Sequence, residues 1–289
     1  MKKWLKVVGM IGLMFSLSAC QETNSATSTE KEANKAPDQV EIYLARHGKT
    51  MLNTTDRSQG WIDAPLTPAG IAVAEDLGRG LADVDFDAVY SSDSGRAVET
   101  ATLVLKNNGQ EKLLDTLHTD KRLREFNFGT YEGIPNPEMW SEIAKEQGKT
   151  LEEWQNEMGE EGFVKTIQGF ADTLHELDEK KLEELGKEHD VAADEVSWRA
   201  EDYQTVIDRV SSAVADIVKT AEEKGQDKIL ITSHGMTIAS FVASIDESAE
   251  VPPTGLKNAS VCKIIYQDGK YTVESVNDLS YLEKGAKDK

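Results

Sequence analysis

Arg46, His47, Gly48 and Asn53 fall within eight residues, in the order Arg-His-Gly-Lys-Thr-Met-Leu-Asn, and carry the side chains best equipped for chemistry in this chain of 289 residues. A guanidinium, an imidazole, a glycine and a carboxamide can together hold an anion. The imidazole can also attack it, which makes His47 a candidate nucleophile towards phosphorus. Two further stretches offer matching residue types: Ser91-Ser92 followed by Arg96, and Ser233-His234-Gly235.

Each of these stretches needs an element to aim it. Val40 to Ala45 reads as a strand, so Arg46 and His47 lie at its carboxyl end, where open α/β sheets bind ligands. Thr67-Pro68 is an N-cap with proline at the first helical position, and the spacing of Ile71, Ala74, Leu77 and Leu81 predicts a helix to about Leu81. Phe86 to Ser91 reads as a second strand, and Ser94 to Lys106 as a helix with Ala97, Ala101, Val104 and Leu105 inward. Arg96 then sits at a helix start, where backbone amides favour an anion. A short strand is expected within 113 to 123, leading into a segment that carries Glu125 and Glu132. A helix from about Glu201 to Glu223 precedes a strand from Lys228 to Thr232, and Ser233-His234-Gly235 follows before a helical run from Met236 to Ile245. Two strands, 260 to 266 and 271 to 276, meet at the hairpin signal Asp268-Gly269. The pattern predicts an α/β protein, a three-layer α/β/α architecture with a mostly parallel central sheet.

Between 135 and 200 the composition changes to 18 acidic against 7 basic residues. Phe170, Leu174, Leu177 and Leu182 keep helical spacing there, so this region is expected to be an amphipathic, exposed helical cap inserted into the domain spanning 39 to 289. The whole chain is acidic, with 32 Lys plus Arg against 52 Asp plus Glu and a formal charge of −20. Such a chain repels nucleic acid, whose binding rests on neutralising phosphates. Any phosphate it handles must meet a local basic pocket.

The amino terminus has Lys2, Lys3 and Lys6 before an apolar run from Val7 to Leu17. That run is too short to span a bilayer of about 30 Å, so residues 1 to 19 read as a signal peptide. Leu17-Ser18-Ala19-Cys20 resembles the bacterial lipobox. The resemblance implies lipidation of Cys20 and a protein tethered by acyl chains on the extracytoplasmic side of the cell membrane. Residues 20 to 38 hold no large apolar side chain and are expected to be a flexible tether. Cys262 is the other cysteine and is expected to be a small buried hydrophobe.

The chain is similar to the histidine phosphatase superfamily, in its phosphoglycerate mutase-like branch. The likeness rests on Arg46-His47-Gly48-Lys49-Thr50 with Asn53, on Gly60 with Asp63 and Pro65-Leu66-Thr67, and on Ser91-Ser92 with Arg96-Ala97 and Glu99-Thr100-Ala101. It continues in Glu125 before Phe128-Gly129, in Glu132-Gly133 and in Ser233-His234-Gly235. The resemblance implies that His47 forms a covalent phosphohistidine on a small phosphorylated substrate. Arg46, Arg96 and His234 would surround the phosphoryl oxygens as the source of positive charge, with Asn53, Gln59 and Gly235 contributing further contacts. Glu125 would protonate the leaving oxygen and then activate water, which predicts an acidic to neutral optimum. No cofactor is implied, and the five histidines lack the spacing of a metal motif.

Other roles stay open for several of these residues. Glu132 competes with Glu125 for the acid, Glu125 could pair with Arg124, and Arg96 could pair with Glu99. Lys49 reads as surface charge, and His118, His175 and His189 as solvent-facing. Mutases of the family follow the glutamate with Arg-His-Tyr and bring an arginine pair from the cap. Here Glu125 is followed by Phe126-Asn127-Phe128, and residues 135 to 200 contain no arginine pair. Hydrolysis of phosphomonoesters is therefore favoured over mutase activity, and over a catalytically silent surface lipoprotein, which would be expected to have lost one of these groups.

Overall fold

The computed structural model describes residues 36 to 287, so the signal-peptide, tether and Cys20 expectations lie wholly or mainly outside the described residues. A six-stranded sheet forms the middle layer. Its strands are β1 (Val40–Arg46), β2 (Ala88–Ser91), β3 (His118–Thr119), β4 (Lys228–Ser233), β5 (Val261–Gln267) and β6 (Lys270–Asp278). Their order is β3-β2-β4-β1-β5-β6. The first four pair in parallel, while β5 runs antiparallel to β1 and to β6.

Both faces of this sheet are covered. Ile42 and Leu44 of β1 join one core with Ile229 and Ile231 of β4, while Tyr43, Ala45 and Leu230 join the other. Doubly covered parallel strands are apolar at nearly every position, and β1 is buried from Ile42 through Ala45. On one side lie α2 (Pro68–Gly80) and α3 (Gly95–Asn107), both close to their expected bounds, while a short helix, α1 (Met51–Thr54), was not expected. Thr67 caps α2 by accepting from the Gly70 amide at 3.0 Å. The expected strand at 113 to 123 is only β3, because Glu111–Thr116 winds into a 3₁₀ turn.

The region expected to be the cap contains α4 (Asn136–Glu146), α5 (Leu151–Glu161), α6 (Phe163–His189) and α7 (Ala193–Val196). It is amphipathic but not simply exposed. Met139, Ile143, Trp154, Ile167, Phe170 and Leu174 are buried in the same apolar cluster as β1 and β4. Asp178 of α6, fully buried, fastens it further by accepting from the Thr130 and Ala200 amides, each at 2.8 Å. The second layer against that sheet face is α8 (Tyr203–Lys224) and α9 (Gly235–Ile245). A last helix, α10 (Ser280–Lys287), was not expected; its Tyr281 and Leu282 pack on the opposite core beside Leu77 and Leu81. Cys262 is buried as expected, and burial pushes its thiol up to about 11.

Candidate active site

Sheet register brings the chemistry together. Arg46 at the end of β1 stands opposite Ser233 at the end of β4, and Ser91 at the end of β2 stands opposite Thr232. The stretches Arg46-His47, Ser91-Ser92 and Ser233-His234 therefore leave three adjacent strands at one edge of the sheet. The His47 and His234 rings lie 5.3 Å apart between centroids.

His47 is 3% exposed. Its Nδ1 lies 2.7 Å from the Gly48 carbonyl oxygen. A carbonyl only accepts, so Nδ1 carries the proton and the neutral ring keeps its lone pair on Nε2. Burial, then Arg96 and Arg46, hold the His47 pKa well below the usual 6.5. The nucleophilic form is thus the resting form. The loop is braced from outside, because Asn258 Nδ2 donates to the His47 carbonyl at 3.1 Å.

Arg96 is 1% exposed and almost fully engaged. Its Nη1 donates to Ile62 O and Asp63 Oδ1, each at 3.0 Å, and its Nη2 to Gly60 O at 2.8 Å and His234 Nδ1 at 2.9 Å. Asp63, not Glu99, is its ion-pair partner. Arg46 donates through Nη1 to the Leu256 carbonyl. Burial is the largest influence on both guanidinium groups and lowers their pKa, opposed for Arg46 by Glu125 and for Arg96 by Asp63. Three donors remain without a partner although buried: Arg46 Nε, Arg96 Nε and Gln59 Nε2. Leaving such donors unpaired costs about 1–3 kcal/mol each, and more for charged groups, so the cluster is strained towards an anion.

Asn53 is the third residue of α1 and completes a capping box with Thr50, its Oδ1 accepting from the Thr50 amide at 3.2 Å. Asn258 also donates to that oxygen, at 3.3 Å. The Asn53 carbonyl oxygen is therefore occupied, and its amide donors are the groups left for a ligand. Gln59 is held likewise, its Oε1 accepting from Thr50 Oγ1 at 2.5 Å. Gly235 begins α9, and a Cβ there would stand 3.0 Å from Arg46 Nε. Only a glycine lets the helix start pass so close to the guanidinium.

His234 departs from the expected role as a cation. Its Nδ1 accepts from Arg96, so its proton is on Nε2, which lies 2.8 Å from Ser92 Oγ. Burial and Arg96 hold its pKa well below the usual 6.5. In the free protein the positive charge of the site comes from the two arginines, and His234 acts as a neutral strut beneath Arg96.

The two glutamates separate cleanly. Glu132 accepts from the backbone amides of Gly60, Trp61, Ile62 and Phe128, at 2.6 to 3.2 Å, and so fixes the loop whose carbonyls hold Arg96. Glu125 is 6% exposed and faces the cavity below the cap. Its carboxylate accepts from the Met236 amide at 3.0 Å and from the Thr237 amide and hydroxyl, both at 2.9 Å. The first turn of α9 thus binds Glu125, and the amides of Gly95 and Arg96 at the start of α3, where an anionic ligand was the expectation, donate to Asp63. Arg124 pairs with Asp93 instead of Glu125. Arg209 secures the segment by donating to the carbonyls of Arg122, Arg124 and Glu125 at 2.7 to 2.9 Å.

A cavity of about 310 Å³ opens over Arg46, Asn53, Gln59, Glu125 and Gly235. It also reaches Arg57, Ser58, Asn136 and the loop Thr254 to Leu256, none of which stood out in the sequence. Asn258, Thr237 and Arg209 were missed as well. They act by contacts across more than 80 residues of chain, and no local pattern marks such contacts. Lys49 is exposed and does not line the cavity, and of the remaining histidines His175 is half-buried, its Nδ1 bonded to the Ala200 carbonyl. Among the described residues no three His, Cys, Asp or Glu side chains cluster as metal ligands would.

A buried histidine with its proton on Nδ1, beside two arginines with unpartnered donors at the carboxyl ends of parallel strands, is an arrangement that can hold an anion and attack it. The chain belongs to the histidine phosphatase superfamily (branch 1), whose sequence model matches residues 42–181 and 169–279. It is 38% identical to a phosphoglycerate mutase from Bacillus anthracis strain Sterne, with a TM-score of 0.73 over 88% of this chain and 99% of that one. Bacillus stearothermophilus YhfR is 27% identical, with a TM-score of 0.60 over 84% and 99% of the two chains. The Yersinia pestis (strain Pestoides F) probable phosphoglycerate mutase GpmB is 27% identical over 86% of this chain and 98% of its own.

Proposed function

We propose that this chain hydrolyses phosphomonoesters through a phosphohistidine at His47. The observation that carries the reading is the Nδ1–H bond from His47 to Gly48 O, which leaves Nε2 unprotonated beside Arg46 and Arg96. Nε2 attacks phosphorus, the ester P–O bond breaks, and the leaving oxygen takes a proton from Glu125. Water then gives a proton of its own to the Glu125 carboxylate as its oxygen attacks the phosphohistidine and the N–P bond breaks, releasing phosphate and restoring Nε2. The unpartnered arginine and Gln59 donors stabilise charge on the phosphoryl oxygens in both steps. Glu125 must carry a proton into the first step and leave it as a carboxylate. This supports an acidic to neutral optimum.

A second reading, phosphoglycerate mutase, is favoured by the names of two of the relatives. A mutase must hold the carboxylate of a three-carbon acid, yet no charged residue of the cap lines the cavity. Release of phosphate from a generic phosphomonoester, wild type beside His47→Ala, tests the reading: equal release from both defeats it. Interconversion of 2- and 3-phosphoglycerate at a rate above hydrolysis would establish the mutase instead.

The proposal extends to location. The charged start, the short apolar run and Leu17-Ser18-Ala19-Cys20 support a lipid anchor at Cys20 and an active site on the extracytoplasmic side. Incorporation of a labelled fatty acid that is lost in Cys20→Ala is the expected outcome, and incorporation that persists contradicts the anchor.

A further inference from the structure

The cavity has two unlike halves. Its floor is the polar cluster around Arg46, Gln59 and Glu125, and its roof is supplied by the cap. The cap's contributions to the lining are uncharged, and they are dominated by Met139, Trp154, Phe163, Ile167 and Phe170. This is unexpected for a region carrying 18 acidic against 7 basic residues, whose charges all lie elsewhere on the cap. The rings are set at angles to one another. Phe128 meets Phe170 edge to face at 5.8 Å, and Trp140 lies 6.3 Å from Trp154. Phe128 is also three residues beyond Glu125, so the segment that positions the proton donor carries a roof ring as well. Phe163 reaches the opposite wall: a Cβ on Gly255 would lie 2.8 Å from its ring, and the next residue, Leu256, supplies the carbonyl that takes Arg46 Nη1. The roof therefore meets the loop whose carbonyl holds the arginine of the floor.

We infer that the site selects phosphomonoesters whose leaving alcohol bears an uncharged apolar body of about the size of one aromatic ring. The inference rests on the phosphatase reading above and names the substrate class of that same site. The phosphoryl group occupies the floor, and the leaving group lies against Phe128, Trp154, Phe163 and Phe170. An apolar group there stays out of water among rings with which it can pack. A polyol or a carboxylate would give up its hydration without a partner from the cap. Arg57 is the remaining cation of the lining; it belongs to the core, is exposed, and donates to Gly133 O at 2.7 Å.

Three phosphate esters of primary alcohols, which share leaving-group chemistry, test this on the full chain: 2-phenylethyl phosphate, glycerol 3-phosphate and 3-phosphoglycerate. Burial of one phenyl ring predicts a kcat/KM for the phenylethyl ester roughly ten- to a hundredfold above the other two. Phe163→Ala is expected to reduce the preference for that ester over glycerol 3-phosphate, read as the ratio of their kcat/KM values, at least tenfold, with Phe163→Leu recovering most of the preference. Equal kcat/KM for the three esters, still dependent on His47, overturns the apolar selection and leaves the phosphatase reading intact. Preference for 3-phosphoglycerate overturns it too, in favour of a carboxylate held at Arg57. Absence of hydrolysis for every ester removes both.

Discussion

Arg96 Nη2 donates to His234 Nδ1 at 2.9 Å, and this one bond fixes the tautomer of His234 and the orientation of the guanidinium. A lysine cannot make the three further contacts, to Gly60 O, Ile62 O and Asp63, together with the one to His234, from one planar group. Arg96→Lys is expected to lower kcat/KM by about 10²–10³ although the charge is kept. Steady-state kinetics on the purified variant checks this, and a change of less than about threefold would mean that charge alone suffices.

Glu125 and Glu132 are predicted to fail differently. Glu125→Gln keeps shape but cannot deliver a proton, so the rate on an alkyl ester falls by about 10²–10⁴ and the loss shrinks for a nitrophenyl ester, whose leaving oxygen needs no acid. Glu132→Gln removes a charged acceptor of four amides. It is expected to cost about 1–3 kcal/mol of stability in urea unfolding. Equal sensitivity of the two variants to leaving-group quality would exchange their roles.

Gly235→Ala tests how closely the helix start must pass the arginine. The added methyl would press on Arg46 Nε, Cζ and Cδ at 3.0 to 3.4 Å. A displacement of about 1 Å at such a group costs on the order of a hundredfold in kcat/KM. The melting temperature is expected to change little, since alanine favours a helix more than glycine does.

The two buried histidines also predict how stability varies with pH. Both have pKa values well below 6.5 when folded, so below that pH the unfolded chain binds more protons than the native one. Stability is therefore full above about pH 6.5 and falls as pH drops beneath it, with a limiting slope of about 1.4 kcal/mol per pH unit for each histidine. Urea unfolding between about pH 7.5 and 5.5 measures the slope, and His47→Asn is expected to remove its own share. A flat profile would show that His47 and His234 are charged in the native state.

The sheet, the flanking helices and the places of Arg46, His47, Arg96 and His234 were legible because their signals are local. These four lie at or within five residues of a strand end, and apolar periodicity locates the strands. What sequence did not reveal depends on contacts between distant segments. The protonation of His234 is decided by Arg96 and Ser92, 138 and 142 residues away. The choice between Glu125 and Glu132 turns on which amides each one meets. The apolar roof arises from Trp154, Phe163 and Phe170, whose acidic neighbours dominate the composition of the cap and point elsewhere.

The central claim is that His47 carries the phosphoryl group. Rapid acid-free quenching of the full chain with a phosphomonoester, followed by peptide mass spectrometry, tests it most directly. The expected result is one phosphoryl group, labile to acid and stable to base, on the peptide containing His47, absent from His47→Ala. Turnover of the ester with no phosphoryl group on that peptide, or with turnover undiminished in His47→Ala, would contradict the account.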